Sequence, residues 1–227
     1  MPDRNIFSLT PILDYLECPV LYKWRYVHSI PHKEDRGMAV GERVHKYIET
    51  ISRILWESGT VNRKVATLRA DEDIKPYIET FLHSRLVSIP EEKPEKMYLE
   101  RLFYFNLGES FITGKLDRVD ISPGSARIYD YKTSRKGSTP LSERYRMQLA
   151  AYMAAVSQIT GIPVAAINGS ISYLGDGAED TVTGDEGLIN EYIRILAEAI
   201  YKIREEKFDP VKDTDCKKYC HYHNLCK

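Results

Sequence analysis

Cysteine is scarce in this chain: there are four in 227 residues, Cys18, Cys216, Cys220 and Cys226. Long apolar runs are missing as well, none approaching the roughly 18 residues that a membrane span requires. The opening MPDRNIFSLT has no basic stretch followed by an apolar one, so it does not read as a secretory signal. No internal repeat or low-complexity tract is visible, which excludes solenoid architectures. An excess of one charge is also lacking. The formal net charge of −1 counts against a protein that coats nucleic acid indiscriminately, although whole-chain charge can hide a local patch. These absences point to a cytoplasmic protein with no membrane association.

What is present suits one folded unit. A 43% hydrophobic fraction is enough for a core and 29% charged residues suit a solvated surface. The pattern predicts a single domain over 1–227. A helix is expected from Leu9 to Tyr26, with Thr10–Pro11 as cap and first position. A second is expected from about Gly41 to Ser58, where Val44, Ile48, Ile51 and Leu55 recur at helical spacing, and a third from Asp73 to Leu86. PEEKP, residues 90–94, breaks the chain. From Met97 the texture changes to β-branched and aromatic runs, MYLERLFYF, ESFITGKLDRVDI and ARIYDYKT, which read as strands. A helix over Leu141 to Thr160, a strand in VAAINGSISYL and an amphipathic helix over Glu186 to Glu206 follow. Helices flanking a mixed sheet give an α/β class.

The middle hairpin carries chemistry. If Ser122–Ser125 is its loop, Val119 faces Ile128 and Asp117 faces Asp130. Strict alternation puts Asp117, Val119 and Ile121 on one sheet face with Ile128, Asp130 and Lys132. Two aspartates opposite each other repel, and burial worsens the repulsion unless a proton or cation lies between them. A divalent metal with oxygen ligands meets that need, and Lys132 would lie close to it. The same register sets Lys115 opposite Lys132, so the outer end is expected to splay or bulge. Read without function, these are exposed hairpin charges. Directly after them, Lys132 to Arg146 holds Arg135, Lys136, Arg144 and Arg146 against one acid, Glu143. That stretch is either a solvated face or an attraction for phosphates.

The run GKLDRVDI followed by IYDYKTS resembles two motifs of the RecB-like branch of the PD-(D/E)XK nucleases. The resemblance implies a restriction-endonuclease-like core, with Asp117 and Asp130 as ligands of Mg²⁺ or Mn²⁺ and Lys132 as the catalytic lysine. Asp120 falls on the opposite face and is left out of the site. GERVHKYIE resembles the family's G-x-x-x-H-x-x-x-E helix and implies His45 as a further metal ligand, with Glu49 one turn on. QLAAY resembles the family's Q-x-x-x-Y helix and implies roles for Gln148 and Tyr152 beside the lysine. The four motifs occur in family order between Gly41 and Tyr152. The implied activity is hydrolysis of DNA, on single strands or ends, with Arg135, Lys136, Arg144 and Arg146 attracting the backbone. The backbone carbonyl of Tyr131 is a possible extra ligand. Tyr22, Trp24 and Tyr26 would either stack on bases or pack in the core.

The cysteines admit three readings. Disulfides are uncommon in a cytosolic protein. A structural zinc site accepts four thiolates but more often takes its ligands as two local pairs. A [4Fe–4S] cluster on Cys18, Cys216, Cys220 and Cys226 is the third. One distant cysteine plus a C-terminal triplet resembles the iron–sulfur nucleases, among them the CRISPR-associated Cas-four type and the AddB and Dna-two nucleases. LDYLECPVLYKWRY is similar to their N-terminal segment. The triplet here is C-x3-C-x5-C, where the family pattern has C-x2-C-x5-C. The cluster would join residues 1–40 to 207–227. With no helicase motor in the chain, the resemblance implies a stand-alone nuclease trimming DNA for CRISPR spacer acquisition beside an integrase. A viral or plasmid recombination or repair nuclease shares the profile, and a scaffold that binds DNA without cutting it is the reading from another class.

Overall fold

The computed structural model describes residues 5–31, 36–87, 94–210, 220 and 222–225. Its first strand, β1 (Ile6–Ser8), runs straight into α1 (Leu9–Glu17), so the helix starts two residues earlier than Thr10–Pro11 suggests. The expected continuous helix to Tyr26 is broken at Cys18, which is extended at φ −159° and ψ 109°. Pro19 is the cause: its ring disfavours helical backbone in the residue before it. Pro19 then opens α2 (Pro19–Tyr22), and a π-helical turn, Lys23–Val27, completes the segment.

Three helices come next: α3 (Arg36–Ser58), α4 (Arg63–Arg69) and α5 (Lys75–His83). Val44, Ile48, Ile51 and Leu55 are buried as their spacing predicts. Strands β2 (Lys96–Leu107), β3 (Ser110–Ser122) and β4 (Ser125–Lys132) occur where strands are expected, and β2 joins the expected β3–β4 hairpin as an antiparallel meander. The hairpin register is the predicted one near its turn, with Ile121 opposite Ala126 and Val119 opposite Ile128. Gly124, at φ 71°, takes the left-handed position that this tight turn needs. α6 (Glu143–Thr160) crosses over to β5 (Ile167–Tyr173), which lies parallel to β4. β6 (Glu179–Thr183), absent from the sequence reading, pairs antiparallel with β5, and α7 (Glu186–Arg204) follows.

The result is a six-stranded mixed sheet. β2 lines one edge of β3 from end to end. The other edge is shared: β1 takes Phe111–Thr113 and β4 takes Arg118–Ser122. Residues 114–117 lie between those two partners. One face of the sheet is covered by α1, α6 and α7, burying Ile112, Leu116, Val119, Ile128 and Ile171. The other is covered by α3 and α5, against Tyr129, Tyr131 and Leu174. No helix among the described residues is long and apolar enough to cross a membrane.

α6 approaches the sheet closely because β5 offers a glycine there. A Cβ on Gly169 would lie 2.8 Å from Met153 Cε and 3.0 Å from Leu149 Cδ2, and both side chains are fully buried. Gly169→Val is therefore expected to lower unfolding free energy by about 1–3 kcal/mol through overpacking. Urea denaturation measures this, and an unchanged midpoint would show that α6 can retreat freely.

Candidate metal centre

The β2–β3 pairing is in register on both sides of one position. Leu99 faces Arg118 and Arg101 faces Leu116, so Glu100 stands opposite Asp117. Glu100 has φ 50°, an unusual value within a strand. The pleat slips there. Leu116 and Val119, three residues apart, enter the same core, and Tyr98 and Arg101 line the same groove. Strict alternation would send each pair to opposite faces. The slip turns Asp117 away from the face of Val119, where alternation predicts it, and towards α3.

The outer end of the hairpin does splay. Past Arg118–Tyr129 the β3–β4 ladder stops, and the Tyr131 N–H donates to Asp117 Oδ2 at 2.8 Å instead of to a strand carbonyl. Lys115 and Lys132, opposed in the simple register, go to different acids: Lys115 to Glu100 and Lys132 to Asp130. Asp117 and Asp130 consequently do not stand opposite each other in the ladder. Asp117 meets α3, while Asp130, on the face of Ile128, meets α6.

His45 projects from α3 beside the buried Val44. Its Nε2 lies 3.0 Å from the Tyr131 carbonyl. Its Nδ1 is 3.2 Å from Asp117 Oδ1 and 3.7 Å from Glu100 Oε1. Burial opposes the charged imidazole, but Asp117 and Glu100 outweigh it and push the pKa up to about 10. When the ring is neutral, an Nε2–H donated to Tyr131 leaves the Nδ1 lone pair facing the two carboxylates. Glu100 is half-buried. Burial would raise its pKa, yet His45 and Lys115 hold it below the usual range.

Asp130 is 2% exposed. It accepts from Gln148 Nε2 at 3.0 Å through Oδ1, and Lys132 Nζ lies 2.6 Å from Oδ2. Burial raises its pKa; the Lys132 cation works against that and the Asp117 charge adds to it. Lys132 is nearly buried, which would lower its pKa, but Asp130 holds it above its ordinary value. The same ammonium sits 4.9 Å from the centre of the Tyr145 ring. Gln148 Nε2 also lies 2.7 Å from the Tyr152 hydroxyl, which donates to the Lys115 carbonyl at 3.1 Å. His45, Asp117, Asp130, Lys132, Gln148 and Tyr152 are thus brought to one place from α3, β3, β4 and α6.

Other sequence candidates go elsewhere. Arg144 pairs with Asp14 and Glu17, and Lys136 with Asp180. Arg135 is exposed and Arg146 half-buried. Asp120 lies on the α5 side of the sheet, bound by Arg118 Nε at 2.8 Å and Nη2 at 2.7 Å. Glu49 pairs with Arg53. Tyr22 is buried and stacks on Phe208, Tyr26 donates to Asp14, and Trp24 packs on His28. Cys18 and Cys220 are half-buried free thiols, while Cys216 and Cys226 lie outside the described residues.

Glu100 is the residue that the sequence reading missed. It could have been found from the turn Leu107–Ser110, whose register counts back to Glu100 opposite Asp117. One ligand atom each from His45, Glu100 and Asp117 lie within 4.8 Å of one another, so these residues could hold a metal ion. One imidazole and two carboxylates suit a hard divalent cation such as Mg²⁺ or Mn²⁺.

A sequence model of the PD-(D/E)XK nuclease superfamily matches residues 6–227. No curated protein matches the chain. Among solved structures, the crystal structure of SSO0001 is similar at 17% identity and TM-score 0.51, covering 100% of this chain and 87% of that one. A provisionally named exonuclease from Eubacterium rectale is similar at 12% identity and TM-score 0.56, covering 95% and 88%. Both likenesses are of fold.

Two outcomes follow for metal binding. Its ligand form is the neutral imidazole, so binding below about pH 10 must expel a proton from His45. Apparent Mn²⁺ affinity should therefore rise about tenfold per pH unit between pH 7 and 9. Without metal the sign reverses: the raised His45 pKa stabilises the fold fully below about pH 6.5, and this stability is lost as pH climbs through 10. Calorimetry across that range checks the first, and a flat affinity would show that binding releases no proton from His45 there. Glu100→Gln should weaken Mn²⁺ binding by about tenfold or more; wild-type affinity in that variant would show that Glu100 serves only Lys115.

Proposed function

Since the chain belongs to the PD-(D/E)XK nuclease superfamily, whose members include metal-dependent nucleases, we propose that it is a deoxyribonuclease that hydrolyses phosphodiester bonds at the His45–Asp117–Asp130–Lys132 site. The observation that carries this reading is the convergence of three residues able to hold a metal ion with the ion pair between Lys132 and the buried Asp130. His45, Glu100 and Asp117 would hold the divalent ion, with Asp130 and the Tyr131 carbonyl beside it. A bound ion supplies Lewis acidity and lowers the pKa of its water.

The chain's own groups do the rest. Lys132, kept charged by Asp130, places an ammonium where negative charge grows on the phosphate. Gln148 fixes the Asp130 carboxylate through one amide hydrogen bond and ties it to Tyr152, so that neither acid nor lysine must reorganise during reaction. Among the described residues Arg135 and Arg146 have no ion pair of the kind that engages Lys136 and Arg144, and they are the candidates for steering the nucleic-acid backbone. The substrate is DNA presented as a single strand or an end, and the setting is CRISPR spacer acquisition with an integrase as partner. This finer reading is supported by the sequence motifs and the cysteine pattern.

A [4Fe–4S] cluster on Cys18, Cys216, Cys220 and Cys226 belongs to the same proposal. It is supported by the packing of the two ends of the chain. Tyr15 donates to the Lys207 carbonyl at 2.7 Å, Tyr22 stacks on Phe208, and Tyr222 donates to the Ile30 carbonyl at 2.9 Å. Cys18 sits half-buried at the break before Pro19, between these contacts. When bound, the cluster supplies a cross-link; zinc would do the same without colour.

Asp130→Ala and Lys132→Ala should each reduce Mn²⁺-dependent cleavage of end-labelled single-stranded DNA by about 10²–10³-fold and leave DNA binding intact. The assay is run on anaerobically purified protein whose visible spectrum is recorded first, with EDTA as the blank. A brown protein that cuts supports cluster and nuclease together, whereas a colourless one containing zinc replaces the cluster. Wild-type protein that is folded and metal-loaded yet cuts nothing would make the chain a DNA-binding scaffold instead.

A further inference from the structure

The first turn of α6 is held by three consecutive side chains, each reaching a different element. Glu143 accepts from the Tyr192 hydroxyl of α7 at 2.8 Å. Arg144 reaches α1, with Nη2 2.8 Å from Asp14 Oδ1 and Nη1 3.0 Å from Glu17 Oε2. Tyr145 lies under the Lys132 ammonium and edge-on to Tyr173. Gln148, which orders Asp130, is one helical turn beyond Arg144.

Asp14 is the centre of this arrangement. It is 5% exposed and also accepts from Tyr26 Oη at 2.6 Å and Arg25 Nη1 at 3.2 Å. A carboxylate so enclosed, bound by two guanidinium groups and a phenol, has one orientation open to it. The segment that it organises is the broken helix containing Cys18. We propose that Asp14 and Arg144 are positioning residues for the nuclease reaction, setting the first turn of α6 so that Tyr145 and Gln148 meet Lys132 and Asp130. The inference rests on the nuclease reading for its catalytic half only. Its conformational half concerns the chain alone. Arg144 is then a half-buried strut, in place of the phosphate contact that its position in a basic stretch suggests.

The test combines hydrogen–deuterium exchange with single-turnover cleavage on the full chain, comparing wild type, Asp14→Asn and Arg144→Lys. Asp14→Asn should speed amide exchange in the peptide spanning 143–150 and leave the α3 amides around Val44 unchanged. Cleavage per folded molecule should fall about tenfold to a hundredfold, since small misplacements of reacting groups cost that much, while DNA affinity and Mn²⁺ affinity hold. Arg144→Lys, which keeps the charge but loses the fork, should fall between the two. Exchange unchanged at 143–150, or raised equally everywhere, overturns the proposal. So does Arg144→Lys losing DNA affinity with normal exchange, which would make Arg144 a DNA contact. If wild type does not cut, the nuclease reading fails and the exchange pattern alone decides whether the strut exists.

Discussion

Three carboxylates crowd the line where β3 and β4 part, and their mutual repulsion is the constraint around which this fold is arranged. Glu100, Asp117 and Asp130 are each at least half-buried, and each has a cationic side chain against it: Lys115, His45 and Lys132 respectively. Burying like charges together is tolerated only when opposite charge is buried with them. The balance is asymmetric in kind. Two of the cations are lysines, which retain their charge, and the third is an imidazole that can surrender its proton. A divalent ion entering between His45, Glu100 and Asp117 would replace that proton with a stronger cation and keep the cluster near neutrality.

The surrounding elements follow from this need. Strands cannot pair through a row of opposed acids, so the pleat slips at Glu100 and Asp117 and the ladder ends at Arg118–Tyr129. The slip sends Asp117 to α3, where the apolar stripe of Val44, Ile48, Ile51 and Leu55 fixes His45 at the correct height. It leaves Asp130 on the α6 side, where Gln148 receives it. The backbone N–H of Tyr131, freed by the splay, is satisfied by Asp117, so a lost ladder bond becomes a bond that orients a ligand. Behind these, Arg118 and Asp120 neutralise each other on the α3–α5 face of the sheet, the face to which Asp117 turns, and Arg118 reaches the Leu86 carbonyl beyond α5.

Much of this was legible in the sequence because it depends on period and spacing. The α/β class, the hairpin register near its turn and the buried stripe of α3 are local patterns, and the site residues His45, Asp117, Asp130, Lys132, Gln148 and Tyr152 do come together. Glu100 is placed opposite Asp117 by the β2–β3 register, but its turn into the site depends on a positive φ that no period encodes. Alternation failed at Asp117 for the same reason. The basic run was misleading in a different way. Charge in sequence does not say who the partner is, and Lys136 and Arg144 find theirs 44 and 130 residues away in Asp180 and Asp14. At Cys18 two local signals conflict: the apolar pattern continues past it, while Pro19 disfavours helical backbone there, and the proline prevails.

Everything proposed for this site requires that the parted strands make one divalent-cation site. Crystals grown with Mn²⁺ and measured at the manganese absorption edge would test it directly. An anomalous peak is expected within bonding distance of the His45 imidazole and the Asp117 carboxylate, with Glu100 or Asp130 completing the set. A fully occupied crystal with its manganese elsewhere, and His45 still hydrogen-bonded to the carboxylates, would contradict it.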